Sequence, residues 1–239
     1  MSDPDPFLAA SEATWPPASA HREGPWIIRD GQRGGKRVSA ATAAVPVTGD
    51  DIALAERAMT TLGQPPLFMI RSGDDALDTL LEGAGYELVD PVAIYAAPVA
   101  TLASDPPPPV SAFTIWPPLK IMEEIWQEGG IGPARLAVMH RVVGLKTAIL
   151  GRSADRAAGT AFVAIHENTA VVHAVVVTEA QRRQRTAVNM MRKAAIWAQD
   201  HGVSTLCVLV TTANAPARAL YASLGMEVVG YYHYRKKAG

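Results

Sequence analysis

Apolar positions along this chain come in short extended runs and in helical periodicity by turns, and the two patterns alternate on either side of one run of prolines. Before the prolines, residues 26–29 and 37–41 read as short strands around a turn at 30–35, and residues 51–62 read as a helix. Residues 67–70 form a buried strand, after which Asp74 caps a helix that runs to Gly83 and is stopped by Gly85. Strands at 86–89 and 92–97 follow, interrupted by Pro91. After the prolines, 113–116 is strand-like, and two helices at 119–127 and 133–143 are divided by Gly129 and Gly130. Three β-rich runs occupy 147–150, 159–164 and 169–177. A long helix over 186–201 sets Ala187, Met190, Met191, Ala194, Trp197 and Ala198 on one face and ends at Gly202. A strand at 206–211, a helix at 215–224 and strands at 227–229 and 231–235 close the chain.

This order predicts an α/β (α+β) fold of two units, each a mixed central sheet flanked by helices. Residues 1–23, rich in Pro, Ala, Ser and acid, are expected to be a loose arm that Trp15 pins to the body, as Trp26 does just beyond it. Residues 24–104 form the first unit, and residues 105–110 form a stiff connector, because Pro106 to Pro109 can join neither a helix nor a central strand. Residues 111–239 form the second unit. A weak repeat relates the two at an offset of 140 residues: Asp74 falls on Asn214, Leu80 on Leu220, Gly85 on Gly225, Glu87 on Glu227 and Val89 on Val229.

Composition narrows the function classes. Of 239 residues, 49% are hydrophobic, enough for a sizeable core, and the formal net charge of −1 gives no global pull toward nucleic acid or anionic lipid. The six histidines are scattered without zinc-site spacing, so no metal is expected, and the single cysteine, Cys207, sits in an apolar run as an inert buried thiol. The N-terminus has no cationic start followed by an apolar stretch, and no apolar run approaches the roughly 20 residues that span a bilayer. These features set the expectation of a cytoplasmic protein with no membrane and no nucleic-acid partner, as a monomer or a homodimer.

Two segments of the second half carry chemistry. Val175, Val176 and Val177 end a strand; a turn with Arg182, Arg183, Gln184 and Arg185 follows, and a helix begins at Thr186, Ala187 and Val188. Unpaired N–H groups at a helix start, beside three arginines, suit a pyrophosphate, although a solvated basic turn has the same composition. Further on, Asn214 caps a helix in which Leu220 and Leu224 face the core. Tyr221, about 100° round from Leu220, either aims its hydroxyl into a groove or packs at the rim of the core.

Taken together, the strand, basic turn and helix, followed by Asn214-x-x-Ala217-x-x-Leu220-Tyr221-x-x-Leu224-Gly225-Met226, resemble the GNAT (Gcn5-related N-acetyltransferase) superfamily. The resemblance covers about residues 113–235, with the first half as a degenerate companion unit in a tandem form. It implies an N-acyltransferase that moves an acetyl or other acyl group from acetyl-CoA, or another acyl-CoA, to an amine of a small molecule or peptide. Backbone groups of Val175, Val176 and Val177 would pair with the pantetheine arm, and the turn from Arg182 through Val188 would cradle the pyrophosphate. Asn214 would bond the pantetheine arm, and Tyr221 would protonate the departing thiolate.

The chain departs from the family pattern at two places. The loop pattern Gln/Arg-x-x-Gly-x-Gly/Ala is met at Arg182 and Ala187, but its middle glycine is Arg185, which either crowds the site or adds a compensating charge. Where some members place a glutamate base, this chain has Leu209. His173, on the same strand face as Val171, is the substitute base, against the alternative of a half-buried histidine satisfied by a neighbour. The tail 231–237 either lines an acceptor pocket or closes the sheet. These departures motivate an alternative role, a catalytically weak acyl-CoA-binding regulatory protein. In the first half, the positions matching the basic turn (42–48) carry no arginine, and Leu81 stands where Tyr221 would.

Overall fold

The structure, a computed structural model, describes residues 5–237. In chain order it runs α1 (Pro6–Thr14), β1 (Ser19–Glu23), β2 (Trp26–Asp30), α2 (Lys36–Ser39), β3 (Thr42–Ala43), α3 (Gly49–Thr61), β4 (Leu67–Arg71), α4 (Asp75–Gly83), β5 (Tyr86–Pro98) and α5 (Val99–Ala103). It continues with β6 (Ala112–Ile115), α6 (Lys120–Glu128), α7 (Pro133–Arg141), β7 (Lys146–Ser153), β8 (Arg156–His166), β9 (Thr169–Val177), α8 (Thr186–Asp200), β10 (Thr205–Thr211), α9 (Ala215–Ser223) and β11 (Glu227–Lys237). The fold is mixed α/β. A small sheet β1-β2-β3 sits beside an eight-stranded sheet of order β4-β11-β5-β10-β9-β8-β7-β6, with helices packed against it.

The two halves share that large sheet rather than each building its own. β11 lies between β4 and β5, and β5 lies between β11 and β10, so each half inserts its last strand into the other. The offset of 140 residues recurs in the geometry. Helices α4 and α9 are both nine residues long and are followed by Gly85 and Gly225, at φ 81° and 75°. The antiparallel pair Arg71–Tyr232 of β4 and β11 recurs as Thr211–Val92 of β10 and β5. Across the seam, the Asp78 carboxylate on α4 accepts from Arg235 Nε at 2.7 Å and meets His233 Nε2 at 2.8 Å on β11.

Several boundaries differ from expectation. The arm expected over 1–23 is, over its described part, a helix and a strand. Asp5 accepts from the Phe7 and Leu8 amides at 2.9 and 3.3 Å, Pro6 occupies the first turn, and Ala10, Ser11 and Thr14 are buried. Trp15 then packs into the core against Phe162 and His173; residues 1–4 lie outside the described part. In place of a strand at 37–41 there is the short helix α2, which buries Val38, and extended pairing starts at Ala41, bonded to Leu67 and Met69. The strands expected on either side of Pro91 are one strand. Proline is tolerated there because the β5–β11 register shifts at that point and Asp90 takes φ 45°, so the missing N–H leaves no ladder bond unmade. The closing strands at 227–229 and 231–235 likewise merge into β11 through a register shift between Val228 and Gly230.

One irregularity shapes the site. β9 and β10 run parallel and pair only from Thr169–Thr205 to Val172–Val208, although each continues beyond. At that level β9 is bulged: Thr160 of β8 opposes Val176 while Phe162 opposes His173, and Ala174 takes φ 52°. A bulge bends its strand and ends regular pairing, so the two strands part and leave one backbone edge of Val175 to Val177 without a neighbouring strand. Trp126 of α6, fully buried, donates from Nε1 to the Ala174 carbonyl at 2.8 Å and fixes the bulge from behind. Gly129 at the end of α6 permits the close approach, because a Cβ there would lie 2.7 Å from Val176 Cγ1. Replacing Trp126 by Phe removes the donor and leaves the carbonyl short of a partner. The variant is expected to lose about 1–2 kcal/mol in urea unfolding; unchanged stability would mean that the bond does not hold the bulge.

Candidate active site

The parted strands open a cleft of about 1070 Å³. One wall is β9 from Val172 to Val177, and the other is β10 from Val208 to Thr211 with Asn214, Ala217, Leu220 and Tyr221. The basic turn and the first turn of α8 close one end. The structure brings Val175, Val176, Val177, Arg182, Arg183, Arg185, Thr186, Ala187, Val188, Asn214, Tyr221 and His173 around one space. Gln184 is the exception: it does not line the cleft, and its Oε1 accepts from Ser153 Oγ.

The turn has an unusual backbone. After a short 3-10 segment at Glu179–Gln181, Arg183 and Arg185 adopt φ of 62° and 60°, the left-handed region that favours glycine. Such a conformation costs a side-chain-bearing residue about 1–2 kcal/mol. Arg185 thus keeps the backbone geometry that the glycine of the family pattern would have. It is also the N-cap of α8 and makes no side-chain cap bond. The first-turn amides of α8 consequently remain open at the cleft wall, with the positive end of the helix dipole behind them. Arg182, Arg183 and Arg185 are exposed, and among the described residues none has a carboxylate within salt-bridge distance. That combination has the chemistry to receive an anion.

On the opposite wall, the Asn214 side-chain oxygen accepts from the Ala217 amide at 3.1 Å, which caps α9 and leaves the side-chain NH₂ available. Helix α9 is rotated from expectation. Tyr221 is its buried residue, while Leu220 and Leu224 are half-buried. Its ring packs on Tyr95 with centroids 5.8 Å apart, and its hydroxyl makes no hydrogen bond among the described residues. Burial pushes the Tyr221 phenol up to about 12, so the group is held protonated. Cys207, within β10, is fully buried and its thiol is likewise raised to about 12, in keeping with an inert side chain.

His173 reaches the cleft, but neither ring nitrogen is free to act as a base. Arg37 Nη1 lies 3.0 Å from Nδ1, and since guanidinium only donates, Nδ1 is the acceptor. Nε2 then carries the proton and donates to Thr14 Oγ1 at 2.8 Å, which in turn donates to the Ala10 carbonyl at 2.7 Å. Trp15 covers the ring, with centroids 5.0 Å apart. The geometry is that of a satisfied structural histidine, which corrects the catalytic assignment. Among the described residues no aspartate or glutamate lines the cleft, and Leu209 stands half-buried at its inner end. Thr14, Trp15 and Arg37 could not be found from local sequence pattern, since Thr14 and Arg37 meet His173 across 159 and 136 residues of chain.

Burial and the neighbouring Arg37 charge hold His173 well below its ordinary value of 6.5, so the folded protein keeps it neutral. The unfolded chain binds that proton and the folded chain does not, so stability falls as the pH drops below about 6.5. Between pH 7.5 and 5.5 this group accounts for a loss of about 1.4 kcal/mol. Urea unfolding at the two pH values is expected to show that extra loss in the natural protein and not in His173→Asn; equal losses would contradict it.

Among the described residues no group of three or more His, Cys, Asp and Glu is placed to hold a metal, and no helix is long and apolar enough to cross a membrane. Residues 122–226, from α6 to just past α9, match the family model described as Acetyltransferase (GNAT) family. No curated protein matches the chain in sequence. Among solved structures, it is similar to a GCN5-related N-acetyltransferase from Kribbella flavida (TM-score 0.73, 18% identity, covering 98% of this chain and 95% of that one). A GNAT-family protein from Novosphingobium aromaticivorans gives TM-score 0.61 at 15% identity, covering 98% and 96%. A tandem GNAT protein from the clavulanic acid biosynthesis pathway gives 0.63 at 15%, covering 98% and 88%. At these identities the likeness concerns the fold. The segment that builds the cleft, residues 122–226, is a domain of the GNAT acetyltransferase family.

Proposed function

We propose that this protein is an N-acyltransferase that moves an acetyl or longer acyl group from acyl-CoA to an amine of a small molecule or peptide. The observation that carries the reading is the convergence, in one cleft, of an unpaired strand edge, an uncapped helix start beside three unpaired arginines, and a buried protonated tyrosine. The edge of Val175 to Val177 accepts an amide-bearing arm as an added strand, the mode by which extended chains dock on sheets. The first-turn amides of α8, with Arg182, Arg183 and Arg185, receive the pyrophosphate. Asn214 offers its free side-chain NH₂ to the same arm.

In the transfer step the acceptor nitrogen attacks the thioester carbonyl, the C–S bond breaks, and the Tyr221 hydroxyl gives its proton to the departing thiolate. Among the described residues no carboxylate or free imidazole faces the inner end of the cleft, so the acceptor arrives as its neutral amine, the proton its nitrogen sheds on acylation passes to water, and Tyr221 regains its own from water. That lack of a base also favours a second reading, in which the protein binds acyl-CoA as a regulatory ligand. The recurrence at 140 residues supports reading 24–104 as a degenerate companion unit to 111–239, joined by 105–110, with Leu81 in the place of Tyr221. In this reading the first half completes the sheet and walls the acceptor side.

Calorimetry with acetyl-CoA, followed by thiol release over an amine panel, tests the proposal. Binding with acceptor-dependent release supports transfer, binding without release favours the regulatory reading, and no binding rejects both. Tyr221→Phe is expected to lower kcat at least about tenfold with little change in acetyl-CoA affinity; unchanged kcat would remove Tyr221 from the mechanism.

A further inference from the structure

We propose that Arg37 anchors a carboxylate on the acceptor, so that the acceptor is a small amino-acid-like molecule with an amine and a carboxylate. This rests on the acyl-transfer reading and names the substrate class of that same site.

A second cavity of about 580 Å³ lies on the other side of Leu209, between α1, the segment 42–47 and the start of α4. Among the described residues only Arg37 and Leu209 line both this cavity and the cofactor cleft, so they mark the place where a molecule held in one meets a group held in the other. Its volume suits a small ligand.

The charges around the second cavity are nearly all satisfied from within. Glu12 pairs with Arg29 at 2.8 Å, and Arg29 also donates to the Ala40 carbonyl and Thr42. Asp74 pairs with Arg71 at 3.0 Å, and Arg71 also donates to the Ala43 carbonyl. Asp5 is occupied in capping its own helix. Arg37 differs. Its Nη1 meets neutral His173 at 3.0 Å and Ser11 Oγ at 3.5 Å, and no carboxylate lies within salt-bridge distance among the described residues. Its Nε is enclosed without a hydrogen-bond partner among the described residues, and the other polar side chain beside the guanidinium is that of Tyr232.

An enclosed guanidinium nitrogen without an acceptor is an unfavourable arrangement that a bound anion relieves. Arg37 lines both spaces, and a guanidinium is the side chain that takes a carboxylate through paired hydrogen bonds. A carboxylate seated there puts an amine a few atoms away at Leu209, beside the inner end of the cleft.

The test is calorimetry on the full chain, with and without CoA, using α-, β- and γ-amino acids each paired with its own carboxamide. At least one acid is expected to bind about tenfold or more tighter than its amide. Arg37→Gln is expected to bring that ratio close to one, and Arg37→Lys, which keeps the charge but not the fork, to leave an intermediate ratio. No pair that discriminates in the natural protein, or a ratio that survives in Arg37→Gln, would overturn the assignment. So would an aminoalkyl phosphate that binds tighter than every acid. Where Arg37→Gln fails to fold, the charge-keeping Arg37→Lys decides the matter, a ratio equal to that of the natural protein overturning the assignment. Failure of acetyl-CoA to bind in a separate titration would reject the acyl-transfer reading alone, since the acid-to-amide ratio is also measured without CoA.

Discussion

The divergence of β9 from β10 beyond Val172 and Val208 is the constraint on which the rest of the site depends. Two parallel strands with apolar side chains would ordinarily continue their ladder, since each unmade backbone bond leaves a donor and an acceptor unsatisfied. Here the bulge at Ala174 turns β9 away, and the carbonyl that the bulge displaces is met by Trp126 rather than by a strand. The open edge is thus built into the fold and tied to the core of the second half. The cleft, the anion site at α8 and the position of Tyr221 all follow from the space that this divergence creates.

The interleaved sheet ties the first half to the site. β5 supplies the antiparallel neighbour of β10, and with it Tyr95, on which the ring of Tyr221 rests. Without β5, one edge of β10 would be exposed and the tyrosine would lack its backing. From the opposite side, α1 and α2 bring Thr14, Trp15 and Arg37 to His173. The two halves therefore meet at the inner end of the cleft, which receives its residues from both.

Much of this was legible in the sequence, for identifiable reasons. Helix α9, its cap Asn214 and its terminal Gly225 are set by local chemistry, and the observed Ala215–Ser223 ends one residue short of the expected range. The basic turn and the strand before it were legible because an anion site at a helix start is a local construction. What escaped was non-local or depended on register. Pro91 looked like a strand break because pattern alone does not show that it sits at a bulge of β5. The sharing of one sheet by two halves is a matter of which edges pair, and alternation within each strand is the same either way. His173 was read as a base because its strand face was legible and its partners were not; Arg37 is 136 residues away. The rotation of α9 that buries Tyr221 rather than Leu220 is set by the Tyr95 ring across the sheet, which no periodicity within the helix reveals.

The claim that the open edge of β9 and the uncapped start of α8 together receive an acyl-CoA is tested most directly by amide hydrogen exchange with and without acetyl-CoA. Saturating ligand is expected to slow exchange at Val175 to Val177 and at Thr186 to Val188 together, while β7 and β8, already paired on both sides, change little. Exchange unaltered at both segments, or protection confined to another surface, would contradict it.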